Sequence, residues 1–217
     1  MFPLYDESVP RTKKPFLVLG LILINVLIFL FTYLICDFEQ TVFNFGLVPE
    51  EILQGKSFFT FLSSMFLHAG ILHLVGNMWF LWVFGDNLEH NLGFLRFLFL
   101  YIFTGIAASL VHIFTVSTTD VWLPVIGASG AISGVLGGYV ILFPRNKIKA
   151  LMMGYFRPYF ISIPARSYAL IWFIYQLIYA GSPGSIAYMA HIGGFLAGII
   201  LALPLRRKLE TKDFYQV

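Results

Sequence analysis

The chain reads as apolar runs separated by short polar flanks. Six of these runs have the length and composition expected of membrane-spanning segments. The first covers residues 16–36 and carries no charge. The second covers about 71–88 and ends in the polar stretch 86–91; the third covers about 94–116, with Arg96 at its start. The fourth begins near Gly127 and stops at Pro144. The fifth covers about 167–180, and its short core extends back towards Ile161. The sixth covers about 186–205 and runs into Arg206, Arg207 and Lys208. The pattern predicts an all-α polytopic membrane protein: one six-helix domain over 16–205, between tails at 1–15 and 206–217.

The longest stretch outside these runs, residues 37–70, is rich in Phe, Leu and Met yet repeatedly interrupted. It is too apolar for a solvated loop and predicts short amphipathic pieces lying in the membrane interface. Residues 152–164 predict a second interfacial segment on the opposite side. No repeat, low-complexity tract or linker divides the chain.

Charge gives the orientation. With the N-terminus in the cytoplasm, 13 of the 14 Lys and Arg residues fall on the cytoplasmic side, and only Lys56 lies outside. The positive-inside rule then requires an even number of spans and two cytoplasmic termini. Hydrophobic residues make up 59% of the 217 and charged residues 12%, about half the charged share of a soluble domain. The basic residues are scattered as span flanks, which excludes a nucleic-acid surface. Cys36 is the single cysteine, so no internal disulfide or cysteine metal cluster is available. The polar tail before the first run does not match a cleavable signal peptide. A microbial plasma membrane is the expected location.

Ionisable and polar residues inside spans are expensive and point to function. Ser129 lies in Gly127-Ala128-Ser129-Gly130 at the outer mouth of the fourth span. Flanking glycines allow close backbone approach, and free N–H groups at a helix start can bind developing negative charge. The same run also reads as helix-packing sequence, because Gly130, Gly134 and Gly138 are spaced four apart. His191 lies about one turn into the sixth span, with Gly194 and Gly198 close to its face. That glycine face can pack on the glycine face of the fourth span and bring His191 towards Ser129. His73 and Asn77 share one face of the second span and are suited to donate to an oxyanion; helix-to-helix hydrogen bonding would use them equally well. His112 and Ser133 are further candidates.

Depth ties these residues together. The second, fourth and sixth spans all enter from the outer side, with Ser129, His191 and the His73–Asn77 pair within their first two turns. At 1.5 Å per residue they reach a similar level. A serine hydroxyl needs a base within hydrogen-bond reach, and neutral His191 can take its proton. No carboxylate stands beside His191 in sequence, so the expectation is a Ser–His dyad without a third member. Water must enter from the outer side, past residues 117–120 and 182–185. No metal or other cofactor is expected.

The stretch Phe66-Leu67-His68-Ala69-Gly70-Ile71-Leu72-His73-Leu74-Val75-Gly76-Asn77, the Gly127–Gly130 motif and Ala190-His191-Ile192-Gly193-Gly194 together resemble the rhomboid family of intramembrane serine proteases. They occur in that family's order, on the second, fourth and sixth spans, and the resemblance runs from about Phe45 to Leu205. It implies Ser129 as nucleophile, His191 as base and His73 with Asn77 at the oxyanion site. Supporting roles fall to His68, Gly127 and Gly130. The implied substrates are single-span membrane proteins cut within or near the span, where small, helix-weakening residues favour unwinding. The resemblance maps a substrate gate to residues 172–188, including Trp172 and Phe173, and gives Glu89 and Gly93 structural roles. Two positions depart from the family pattern. Ser133 stands where some members carry an aromatic residue stacked on the catalytic histidine. Lys56-Ser57-Phe58 stands where some carry a Trp-Arg pair.

Three other readings follow from the same residues. A catalytically inactive relative would bind membrane clients without cutting them. A transporter would set polar groups through the full depth of the bilayer, whereas here they gather in the outer half. A metal site could be drawn from His68, His73 and His191, but no HExxH-type spacing or supporting carboxylate accompanies them.

Overall fold

The computed structural model describes residues 1–7, 14–154, 157–182 and 186–214, with side chains as far as Arg206. Arg11, Lys13, the charged C-terminal residues beyond Arg206, and residues 183–185 of the expected rim and gate lie outside the described side chains.

The molecule is a polytopic helical membrane bundle. Among the described residues its six longest helices are α1 (Phe16–Leu34), α5 (Ile71–Leu92), α6 (Phe94–Thr115), α7 (Ser129–Leu142), α8 (Ala165–Tyr179) and α9 (Tyr188–Phe214). Helices α1 and α6 and the Tyr188–Arg206 part of α9 are each long and apolar enough to cross a membrane. Helix α5 passes the same test only together with the Thr60–Phe66 segment, from which it is bent by 100°. Lipid-facing side chains such as Leu23, Leu27, Leu95, Phe99 and Phe114 are exposed, as expected where the solvent is hydrocarbon.

The stretch between the first two spans is helical in short pieces: α2 (Phe38–Phe45), α3 (Pro49–Leu53), α4 (Thr60–Ser63) and a 3₁₀ turn at Ser64–Phe66. Asp37 caps α2 by accepting from the Gln40 N–H at 3.0 Å. Pro49 opens α3, where its missing N–H costs nothing. This stretch is tied to the segment before α7: Leu47 and Val125 exchange two backbone hydrogen bonds of 3.0 and 2.8 Å, and the Gly127 N–H donates to the Ser64 carbonyl at 2.8 Å.

Local chemistry also sets the turn between α5 and α6. Gly93 takes φ +78° and donates its N–H to the Glu89 carbonyl at 2.8 Å, closing α5 and turning the chain straight into α6. The Glu89 carboxylate accepts the Leu17 and Val18 N–H groups at 2.9 and 2.8 Å. These are orphan donors of the first turn of α1, so one buried carboxylate fixes two helices to each other.

Helix α7 is the core of the bundle; every residue from Gly130 to Tyr139 is buried. Its glycines serve two neighbours. A Cβ on Gly130 would meet Ala108 Cβ at 2.6 Å, and one on Gly134 would strike Thr104, so that stripe faces α6. Contact with α9 uses glycines of both helices: a Cβ on Gly194 or Gly198 would run into the carbonyl oxygens of Gly130 or Gly134, and one on Gly137 into the carbonyl oxygen of Phe195. Backbones therefore touch, as small residues permit between membrane helices.

A small sheet accompanies the helices. Strands β1 (Phe2–Asp6), β2 (Lys147–Met153) and β3 (Pro158–Pro164) form an antiparallel sheet in the order β1-β2-β3. Met152, Met153 and Pro158–Pro164 of the expected interfacial segment are thus strand, and the stretch expected as an N-terminal tail contributes an edge strand. Asp6 accepts hydrogen bonds from Asn87 at 2.7 Å, Asn146 at 2.9 Å and the Tyr139 hydroxyl, which pins β1 against α5 and the end of α7.

Candidate active site

Ser129 is the first residue of α7. The residue before its cap, Gly127, has φ +123°, and a Cβ there would lie 2.8 Å from the His73 imidazole. Both the left-handed backbone and the nearby ring require glycine at this position. With only 14 residues, α7 spans about 21 Å against a hydrocarbon core of about 30 Å. One end must therefore lie within the hydrocarbon depth, where irregular backbone survives only buried in protein or beside water. The backbone leading into Ser129, from Pro124 to Gly127, lines a cavity of about 700 Å³.

His191 lies in the first turn of α9, and its Nε2 is 2.8 Å from Ser129 Oγ, a contact between residues 62 apart in sequence. The glycine-to-backbone packing of α9 on α7 makes this approach possible. The other imidazole nitrogen, Nδ1, is 2.9 Å from Gln176 Oε1 on α8. The Trp172 and Tyr188 rings stand with their centroids 6.3 Å from the imidazole.

His73 and Asn77 line, with Ser129 and His191, a second cavity of about 280 Å³ between α5, α7, α8 and α9. The Ala69 N–H points at His73 Nδ1 at 3.4 Å. With Nδ1 accepting, Nε2 carries the ring proton, on the side next to Gly127. Asn77 donates one amide proton to the His73 carbonyl at 3.0 Å, which leaves its second N–H for the cavity.

The remaining candidates are placed elsewhere. His68 is 2% exposed, stands edge-on to His73 with ring centroids 5.1 Å apart and lines neither cavity. Gly130 packs on α6 and α9. Ser133 donates to the Ser129 carbonyl at 2.7 Å. His112 lines the larger cavity with Ser109 and Ser129. A metal shared by His68, His73 and His191 has little to bind, because both nitrogens of His191 are already engaged.

Gln176 is the site residue that the sequence reading missed. Its signal was present: a carboxamide in an apolar run, four residues after Trp172, falls under the same rule that singled out Asn77. Its partner His191 lies 15 residues away on another helix, so nothing local in sequence pairs the two.

The family model described as the rhomboid domain matches residues 55–208. RHOMBOID-like protein 5 of Arabidopsis thaliana is 31% identical over 76% of this chain and 50% of its own length. Rhomboid protein 1, mitochondrial, of Saccharomyces cerevisiae is 30% identical over 78% of this chain and 47% of its own. Rhomboid protease GluP of Bacillus subtilis is 30% identical over 76% of this chain and 30% of its own. The chain thus spans half or less of the length of these curated relatives. A matching domain over most of the chain, on a helical bundle that joins α5, α7 and α9 around one serine, shows that it belongs to the rhomboid family.

Proposed function

We propose that the protein is an intramembrane serine endopeptidase that hydrolyses peptide bonds in or near the spans of single-span membrane proteins. The observation that carries this reading is the 2.8 Å contact between His191 Nε2 and Ser129 Oγ. Nothing in helix packing alone demands it. The relative named as a protease in Bacillus subtilis supports the same reading.

The chemistry follows from the positions. Ser129 Oγ attacks the scissile carbonyl carbon while its proton passes to His191 Nε2. The Ser129 N–H at the start of α7, the His73 Nε2–H and the free Asn77 N–H donate to the oxyanion. The C–N bond then breaks, and His191 returns the proton to the leaving amine. Water repeats the sequence on the acyl-enzyme and frees Ser129. Substrate enters between α5 and α8, where Leu72, Phe80, Trp172 and Tyr175 line the smaller cavity. Water reaches Ser129 through the larger one. The charge distribution supports two cytoplasmic termini and a site opening to the outer side, in a microbial plasma membrane.

Fluorophosphonate or isocoumarin labelling of the detergent-solubilised protein tests the reading. Label is expected on Ser129 and is expected to vanish in His191→Ala. Equal labelling of both proteins means an unactivated serine and removes the proposal.

A further inference from the structure

We propose that Gln176 is a positioning residue of this site: its carboxamide oxygen holds His191 in the tautomer whose Nε2 lone pair faces Ser129, so that seating α8 assembles the nucleophile. This rests on the protease reading above and extends it.

The two imidazole nitrogens have different neighbours, Ser129 Oγ at 2.8 Å and Gln176 Oε1 at 2.9 Å. In a neutral imidazole one nitrogen donates and the other accepts. If Nδ1 carries the proton, it donates to the carboxamide oxygen, and Nε2 is free to take the serine proton. The opposite tautomer would put an N–H against Ser129 and block the base. The choice is therefore set from α8. Among the described residues no carboxylate is hydrogen-bonded to His191 that could set it instead.

Gln176 is placed for this task. It is 4% exposed, while Tyr175 and Leu177 on either side face outwards at 48% and 52%. Trp172, one turn earlier, presents its ring to the same imidazole. Ala165, Tyr168, Ala169 and Gln176 are the buried positions of α8, and together they make one stripe at helical spacing. A neutral acceptor meets the imidazole N–H without a charge to desolvate, and a carboxylate is tolerated at this position only because it would pair with that same N–H. The hydroxyl nearest the position where some relatives stack an aromatic ring, Ser133, is turned to the backbone and leaves this role open. Displacing α8 to admit a substrate helix would break the Gln176–His191 bond, and its return would restore the base only with α8 seated.

The test compares Gln176→Leu, which removes the acceptor, and Gln176→Glu, which keeps an oxygen there, with wild type and Ser129→Ala in proteoliposomes. In Gln176→Leu, kcat for a model single-span substrate is expected to fall on the order of 10- to 100-fold, the scale on which outer partners tune histidines at metal sites. KM is expected to stay within about twofold, because the tautomer of His191 bears on the chemical step and the apolar lining of the cavity is kept. Fluorophosphonate labelling of Ser129 should slow in proportion, and Gln176→Glu should recover most of both. If Gln176→Leu does not fold, Gln176→Met, closer in shape, carries the same comparison. Wild-type kcat and labelling in the acceptor-less variant, with Ser129→Ala inactive, overturn the role of Gln176 alone. An equal loss in Gln176→Glu also overturns it, by pointing to packing. Cleavage by Ser129→Ala would instead remove the underlying protease reading.

Discussion

The Ser133 hydroxyl is turned back onto the carbonyl of Ser129, one helical turn earlier, at 2.7 Å. This bond spends the side chain on the backbone of α7 and keeps it off the imidazole of His191. The Ser129 carbonyl is already positioned for the regular helical bond to the residue 133 N–H, so the hydroxyl is an extra donor to it. Back-bonding of this kind adds little to helix stability. Ser133→Ala should therefore leave Ser129 labelling unchanged and shift stability by no more than about 0.5 kcal/mol. Thermal unfolding in detergent, followed with labelling on the same sample, checks both.

Oxyanion donors act differently from packing residues. His73 and Asn77 line the cavity with Ser129 and His191, and under the proposed mechanism each would strengthen its bond as charge develops. His73→Ala and Asn77→Ala should each lower kcat by about 10²- to 10³-fold, roughly 3 kcal/mol of transition-state stabilisation. KM should change little. Steady-state cleavage of a model substrate separates the two constants, and a rise in KM at unchanged kcat would place these side chains in substrate binding only.

The approach of α9 to α7 was partly legible and partly not. Gly194 and Gly198 on the sixth span marked a close helix contact, and the depth argument set His191 level with Ser129. The sequence reading turned the Gly130-Gly134-Gly138 face towards α9 as well. In the structure a Cβ on Gly130 or Gly134 would meet Ala108 or Thr104 of α6, while α9 rests on the carbonyls of those two glycines and against Gly137. Spacing identifies a small-residue face but not which of two neighbours fills it. Gln176 escaped for a related reason: its partner lies on another helix, and only packing brings α8 beside His191. The strands are illegible because Phe2 pairs with Leu151, far away in the sequence. No local period in a five-residue segment signals such a partner.

The glycine contacts predict opposite signs at two positions. A Cβ on Gly194 would drive into the Gly130 carbonyl. Gly194→Ala must push α9 from α7, separating His191 from Ser129 and abolishing labelling. Gly20 on α1 has nothing within 4 Å of its Cβ direction. Gly20→Ala should stabilise the helix by about 0.5–1 kcal/mol through backbone propensity, with labelling intact. Equal behaviour of the two variants would contradict the backbone contact between α7 and α9.

Glu89 makes a prediction about folding without chemistry. Its two oxygens accept the Leu17 and Val18 N–H groups, and the residue is 7% exposed. Glu89→Ala strands two donors at the start of α1, at about 1–3 kcal/mol for each buried unsatisfied group. Glu89→Gln keeps one acceptor and should lose less. The melting temperature in detergent should fall in the order wild type, Gln variant, Ala variant. Protein that remains folded should still label at Ser129, because the bond lies at the far end of α5 from His73.

The N-terminal strand is held by more than its ladder. Asp6 accepts from Asn87, Asn146 and Tyr139, and the indole of Trp79 donates to the Pro3 carbonyl at 2.6 Å. Tyr139 and Asn87 are buried, so their donors lose this shared partner if the carboxylate is removed. Asp6→Ala should cost more than an exposed substitution, at roughly 1–3 kcal/mol for each donor left unpaired in the interior. Asp6→Asn keeps one carbonyl acceptor and should fall between it and wild type. Because Tyr139 lies at the opposite end of α7 from Ser129, the loss should appear as a lower melting temperature with an unchanged labelling rate in the folded protein. A melting temperature indifferent to Asp6→Ala would mean that the strand merely lies against the bundle, and that residues 1–7 behave as the tail suggested by their sequence.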